Sequence, residues 1–161
     1  MNKWKLYLDT SIISYLDQKD APEKMQETRL FWDKVKAGAY DIVFSEVGLR
    51  EINHCTKEKR TILLSYLKEI DYSRIDVNAD VLRIARKIIE LDILKKKNYD
   101  DCQHIGAAII SGCDAIISWN FKHIVNRKTM QGVKAITALE FRKKLFIYTP
   151  PIFMGDYEDD Q

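Results

Sequence analysis

Apolar positions change their spacing repeatedly along this chain, from every second residue to every third or fourth and back. Lys3 to Asp9 alternates, with Trp4, Leu6 and Leu8 on one side and Lys3, Lys5 and Tyr7 on the other, which predicts a strand. Thr10 and Ser11 then offer capping hydroxyls to a short helix over Ile12 to Leu16. Pro22 suits the first turn of a helix carrying Met25, Leu30, Phe31 and Val35, and Gly38 suits its end. Tyr40 to Phe44 reads as a short strand, followed by a helix from Ser45 to about Cys55 and another from about Glu58 to Ile70. Ser73 to Val77 is a strand candidate. Asn78 caps a helix with Val81, Leu82, Ala85, Ile88 and Ile89 at helical spacing. After a basic loop, Lys95 to Tyr99, a helix is predicted over Asp101 to Ser111, with Asn98 or Asp100 as its cap. Asp114 to Ser118 has the continuous apolar centre of a buried parallel strand. Trp119 to Thr129 reads as irregular and Val133 to Ile136 as a last strand. Thr137-Ala-Leu-Glu140 has the form of a capping box that opens a helix to about Leu145.

Strands and helices that alternate in this way predict an α/β sandwich with a mostly parallel sheet. A length of 161 residues suits one domain, since domains commonly run ~100–200 residues. We expect it to cover residues 1–148. Residues 149–161, with Pro150-Pro151 and four acids, read as a flexible acidic tail. With 46% apolar and 31% charged residues the chain is neither disordered nor low-complexity. No apolar run approaches the ~20 residues that cross a bilayer, and the early acid Asp9 argues against a signal peptide, so no membrane association is expected. Cys55, Cys102 and Cys113 have neither pairing nor zinc-ligand spacing and suit reduced thiols in the cytoplasm. Twenty-six basic against 24 acidic residues leave nucleic-acid binding to local clusters only.

Parallel sheets build their sites beyond the C-terminal ends of the strands. Asp9 ends the first strand there, and Trp119 and Asn120 follow Ser118. Asp101 opens the preceding helix, and Glu51 lies in the helix after the second strand. A carboxylate beside the core is costly when unpaired. A hard divalent cation, Mg²⁺ or Mn²⁺, removes that cost, orients a phosphodiester and acidifies a water.

Leu8-Asp9-Thr10-Ser11, Ser45-Glu-Val-Gly-Leu-Arg-Glu51-Ile, Asp101-Cys-Gln-His104-Ile-Gly-Ala-Ala108 and Gly112-Cys-Asp-Ala-Ile-Ile-Ser-Trp-Asn120 occur in order. Together they resemble the motifs of PIN-domain proteins, a group that includes VapC-type toxin ribonucleases. The resemblance spans residues 3 to about 145. It implies a three-layer α/β/α sandwich with a central parallel sheet, and metal-dependent cleavage of RNA by Mg²⁺ or Mn²⁺. Asp9, Glu51 and Asp101 fall on the family's acidic, metal-holding positions. Asn120 falls where many members carry a fourth acid; a neutral amide there favours one metal over two. The resemblance also implies pairing as a homodimer and a small antitoxin protein as partner.

Each candidate has a plainer reading. Asp9 also suits a helix cap. Glu46 is five residues from Glu51, about 140° around a helix, and suits the helix dipole. Asp100 is off the stripe of Asp101, His104 and Ala108 and suits a cap. Asp114 suits a turn. His104 suits a hydrogen-bonded, partly buried position. Thr10 and Ser11 either cap a helix or bind Asp9 or a phosphate. Lys95, Lys96, Lys97 and Lys122 either form solvated loops or hold RNA, with Trp119, Tyr99 or Phe121 to stack a base. Asn120 leaves a second function open: a catalytically weak module that binds RNA or protein. A phosphatase of the haloacid-dehalogenase type needs a second acid where Ser11 stands.

Overall fold

Leu6, Tyr7 and Leu8 are wholly buried although they are consecutive, so the first strand is covered on both faces. The computed structural model describes residues 3–155 and has five strands and eight α-helices in alternation. In chain order these are β1 (Lys5–Leu8), α1 (Thr10–Tyr15), α2 (Pro22–Lys36), β2 (Asp41–Ser45), α3 (Glu46–Asn53), α4 (Lys57–Leu67) and β3 (Ser73–Ile75). There follow α5 (Ala79–Glu90), a 3-10 turn (Lys96–Asn98), α6 (Tyr99–Ile110), β4 (Ala115–Ile117), α7 (Arg127–Leu139), β5 (Phe146–Tyr148) and α8 (Pro150–Gly155). The sheet order is β3-β2-β1-β4-β5, and every neighbouring pair is parallel. The strand order reverses at β1, which makes the crevice between the ends of β1 and β4 the switch point where α/β sheets place their sites.

Side-chain alternation on the strands divides the interior in two. Leu6, Leu8, Ile42, Phe44, Ala115 and Ile117 face α1 to α4 and α8, where they meet Ile12, Phe31, Trp32, Ile52, Leu63 and Phe153. Tyr7, Val43, Ile116 and Ile147 face α5, α6 and α7. The result is the expected three-layer α/β/α sandwich. Helix α6 is buried from Cys102 to Ile109, and Gly106 lets it lie against α5: a Cβ there would sit 2.8 Å from the Val81 carbonyl oxygen. An enclosed helix carries its polar residues inward with it.

Several sequence expectations need correction. Val133 to Ile136 is not a strand. Asn126 accepts from Thr129 N and caps α7, whose buried Thr129, Val133, Ile136 and Thr137 follow helical spacing. Glu140 ends that helix rather than opening a new one, and pairs with Arg83 and Lys87 of α5. The last strand is β5, at Phe146–Tyr148, where a helix was expected to have just ended. Within 149–155 the expected tail is helix α8, anchored by buried Phe153, whose ring is worth about 2 kcal/mol in burial. Its four acids lie outside the described residues. Leu30 and Ile62 are exposed, and Trp32 and Thr28 take the buried places on α2. Among the described residues no helix is long and apolar enough to cross a membrane.

Candidate metal and phosphodiester site

Beyond β1, Asp9 is the N-cap residue of α1, yet its side chain makes no cap hydrogen bond. Its Oδ2 instead accepts from Ser11 Oγ and Ser118 Oγ, both at 2.7 Å. The two serines pass the order on: Trp119 N donates to Ser11 Oγ at 2.9 Å and Asn120 N to Ser118 Oγ at 2.9 Å. A carboxylate 4% exposed is thus fixed to both central strand ends by two serine hydroxyls.

Glu51 comes in on α3, whose start is set by Ser45 Oγ accepting from Gly48 N. Its Oε1 accepts from Thr10 Oγ1 at 2.8 Å and lies 2.5 Å from His104 Nε2. His104 has no exposed surface, and Nε2 is also 3.5 Å from Asp9 Oδ1. On its other side Nδ1 lies 2.6 Å from Tyr7 Oη, which donates to Ser45 Oγ at 2.6 Å. Burial opposes a charge on His104, but the Glu51 hydrogen bond and the charges of Asp9, Glu51 and Asp101 outweigh it and raise its pKa. Burial alone would raise Glu51; the bond and charge of His104 hold it below the ordinary value. The ring thus bridges Glu51 at Nε2 and Tyr7 at Nδ1, in a setting that favours its charged form. Burial keeps the Tyr7 hydroxyl protonated, with a pKa well above the phenol range.

Asp101 stands in the first turn of α6. Its Oδ2 lies 2.8 Å from His123 Nδ1, and its Oδ1 accepts from Asn120 Nδ2 at 3.3 Å. Burial and then the Asp9 charge raise its pKa, the sign of two carboxylates that share one crevice. Asn120 Oδ1 in turn accepts from His123 N at 3.0 Å. The amide holds the Asp101 carboxylate and its histidine in place.

Asp9, Glu51, Asp101 and Asn120 thus converge from four elements, and their plainer rivals do not. Glu46 accepts from Val77 N at 3.1 Å, and Asp100 pairs with Arg50 at 3.0 Å. Asp114 lies at the opposite end of the sheet, bound to Lys5 N and Lys143. Thr10 and Ser11 lie inside α1 and bind Glu51 and Asp9 rather than capping the helix. Lys95, Lys97 and Lys122 line one cavity with His123, whereas Lys96 lines another beside Arg86, Glu90 and Tyr99. Trp119 is no base platform: it is buried and donates through Nε1 to Thr28. Phe121 is the exposed ring of the three. Tyr99 packs against the core. Burial pushes the thiols of Cys102 and Cys113 up to about 12 and about 11, so they are unreactive.

The oxygen donors have the chemistry of a hard divalent cation. Among the described residues, however, no three Asp, Glu, His or Cys side chains form a ready metal cage. Hydrogen bonds occupy Oε1 of Glu51 and both oxygens of Asp101. A site of few carboxylates is the kind Mg²⁺ accepts while keeping several waters. The sequence motifs marked the acids but not the residues that order them. Tyr7 and Ser118 were missed as site residues, and Ser45 was seen only as a cap. A phenol in an aliphatic strand and a serine at a strand's C-terminal end were the available signals.

No protein-family model matches the sequence, and no curated protein matches it either. Solved structures do. The crystal structure of VapBC2 from Rickettsia felis bound to a DNA fragment from its promoter contains a chain that aligns with a TM-score of 0.54 and 17% identity. The alignment covers 90% of this chain and 98% of that one. DNA-bound VapBC from Salmonella typhimurium aligns with a TM-score of 0.52 and 14% identity over 91% and 98% of the two chains. At these identities the likeness is one of fold, and it agrees with the α/β sandwich and parallel sheet described above.

Proposed function

We propose that the protein is a metal-dependent endoribonuclease, the toxin half of a toxin–antitoxin pair. One observation carries the reading: Asp9, which is buried, and Asp101, which is partly buried, lie close enough at the switch point for the Asp9 charge to act on Asp101, each is fixed by hydrogen bonds, and their charged neighbours among the described residues are histidines rather than lysine or arginine. Asp9 and Asp101 would hold Mg²⁺ or Mn²⁺. Such an ion, when bound, orients a phosphodiester and lowers the pKa of its water. Ser11 and Ser118 keep the Asp9 carboxylate from rotating, and Asn120 and His123 do the same for Asp101. Glu51, held ionised by His104, is placed to accept a proton or order a water at the edge of the crevice. Thr10 and Ser11 border the space for substrate. The VapBC complexes that share the fold support an antitoxin partner, and a cytoplasmic setting is part of the same proposal.

A second reading rests on Asn120. Its amide is spent on Asp101 and His123, so a fourth acidic oxygen is missing, which favours a slow or very selective enzyme or a binding module. One experiment separates the two. The purified protein and its Asp101→Asn variant are incubated with a mixed RNA pool, with Mn²⁺ or Mg²⁺ and with EDTA. Cleavage that needs both the metal and Asp101 is the expected result. RNA binding without products, at any metal concentration, would leave the binding module.

A further inference from the structure

We propose that the cavity between the 3-10 turn and the start of α7 is a phosphate subsite for single-stranded RNA, which holds a backbone phosphate next to the one presented to Asp9 and Asp101. The proposal rests on the ribonuclease reading above. The cavity measures about 250 Å³ and is lined by Lys95, Lys97, Lys122 and Lys128, with Asn98 and His123 among its other walls. No acid lines it. None of the four lysines has an ion-pair partner among the described residues, whereas Lys36, Lys87, Lys143, Arg50, Arg74 and Arg83 all do. Four like charges around one small cavity repel one another and focus a positive potential that an anion relieves.

The backbone that carries these lysines is fixed. Ile93 and Leu94, just before Lys95, are buried, and the 3-10 turn closes with Asn98 N donating to Lys95 O at 2.9 Å. Asn126 Nδ2 donates to the carbonyls of Phe121 and Lys122 at 3.0 Å. Only the lysine side chains have to be ordered when an anion binds, which keeps its entropic cost low.

The position of the cavity favours RNA over an acidic polypeptide. Its wall residue His123 bonds Asp101 directly at 2.8 Å, so the cavity adjoins the proposed catalytic acids. A strand held in that crevice brings its adjacent phosphates with it. Lys96, although in the same sequence run, lies outside: with Arg86 it lines the neighbouring cavity, which Glu90 also lines. The lysine run is thus split between a site and a solvated face.

That split supplies a charge-matched test. The full chain is titrated in EDTA against a labelled single-stranded RNA over a salt series. Lys95→Ala with Lys122→Ala is compared with Arg86→Ala with Lys96→Ala. The first pair should weaken binding roughly tenfold and reduce the slope of log K against log salt by about 0.7 for each phosphate released. The second pair should change affinity less than about twofold, since it removes the same charge from outside the subsite. Equal losses in the two pairs, or none in the first, would overturn the subsite. So would a wild-type protein that binds no RNA, or a first pair that loses affinity for a polyglutamate peptide but not for RNA. RNA binding that depends on the first pair, in a protein that cuts nothing with metal present, would retain the subsite and remove the nuclease.

Discussion

Asp114 and Asp9 lie at opposite ends of the same pair of strands, and the molecule treats them in opposite ways. Asp114, before β4, accepts from Lys5 N at 2.7 Å and pairs with the Lys143 ammonium at 2.5 Å. Burial would raise its pKa, but those partners hold it below the ordinary value. Asp9, after β1, receives only hydroxyl hydrogen bonds, and the ring nitrogen beside it, His104 Nε2 at 3.5 Å, is already engaged by Glu51. At the first end a carboxylate is neutralised and joins two strands. At the second, three carboxylates share a buried histidine and a partly buried one. The fold pairs its acid with a lysine at one end and leaves the acids at the other with histidines and hydroxyls, the arrangement that the proposed cation site calls for.

The largest expected effect breaks this comparison at its functional end. Asp9→Asn should lower metal-dependent RNA cleavage at least on the order of 100-fold, because losing even an outer-shell partner of a metal site commonly costs 10–100-fold. Asp114→Asn should leave the rate within about twofold and lower stability by about 1 kcal/mol, the scale of one hydrogen bond and an exposed ion pair. Parallel kinetics and urea unfolding of the two variants read both quantities.

Next in size is the buried histidine that bridges Glu51 and Tyr7. His104→Ala leaves the Glu51 charge and the Tyr7 hydroxyl without their buried partner and should destabilise the fold by about 3 kcal/mol. A loss below about 1 kcal/mol in urea unfolding would mean that water replaces the ring without penalty.

The smallest effect is a difference in pH dependence. The raised pKa of His104 means that its contribution is complete below the unfolded value of 6.5 and is lost as pH climbs through the raised value. The lowered pKa of Asp114 means the reverse: its contribution is complete above 3.8 and is lost as pH falls. In EDTA, the stability gap between wild type and His104→Gln should narrow on the alkaline side. The gap to Asp114→Asn should narrow on the acid side. A gap to His104→Gln that stays flat to about pH 9 would show the ring to be neutral.

Asp9, Glu51, Asp101 and Asn120 of the candidate site stand out in the sequence because each is at a local landmark: a strand end, the helix after a serine cap, a helix start, a strand exit. Their order along the chain added what no single landmark carried. The partners of His104 were not legible, since Tyr7 and Glu51 lie 97 and 53 residues away and only the buried setting of α6 brings them together. The end of the chain misled for a different reason. Val133 and Ile136 suit a short strand as well as a helix, and Asn126 settles the matter from a stretch that reads as irregular. Likewise Lys95, Lys96 and Lys97 look equivalent in sequence, and the turn of the backbone at 96–98 sends them to two different cavities.

The central claim is that the under-compensated acids at the C-terminal end of the sheet form a cation site. Calorimetric titration of Mn²⁺ into the metal-free protein, the Asp101→Asn variant and the Asp114→Asn variant tests it directly. Binding by wild type and Asp114→Asn, with a loss on the order of 100-fold in Asp101→Asn, is the predicted result. Equal binding by all three, or none by wild type, would contradict it.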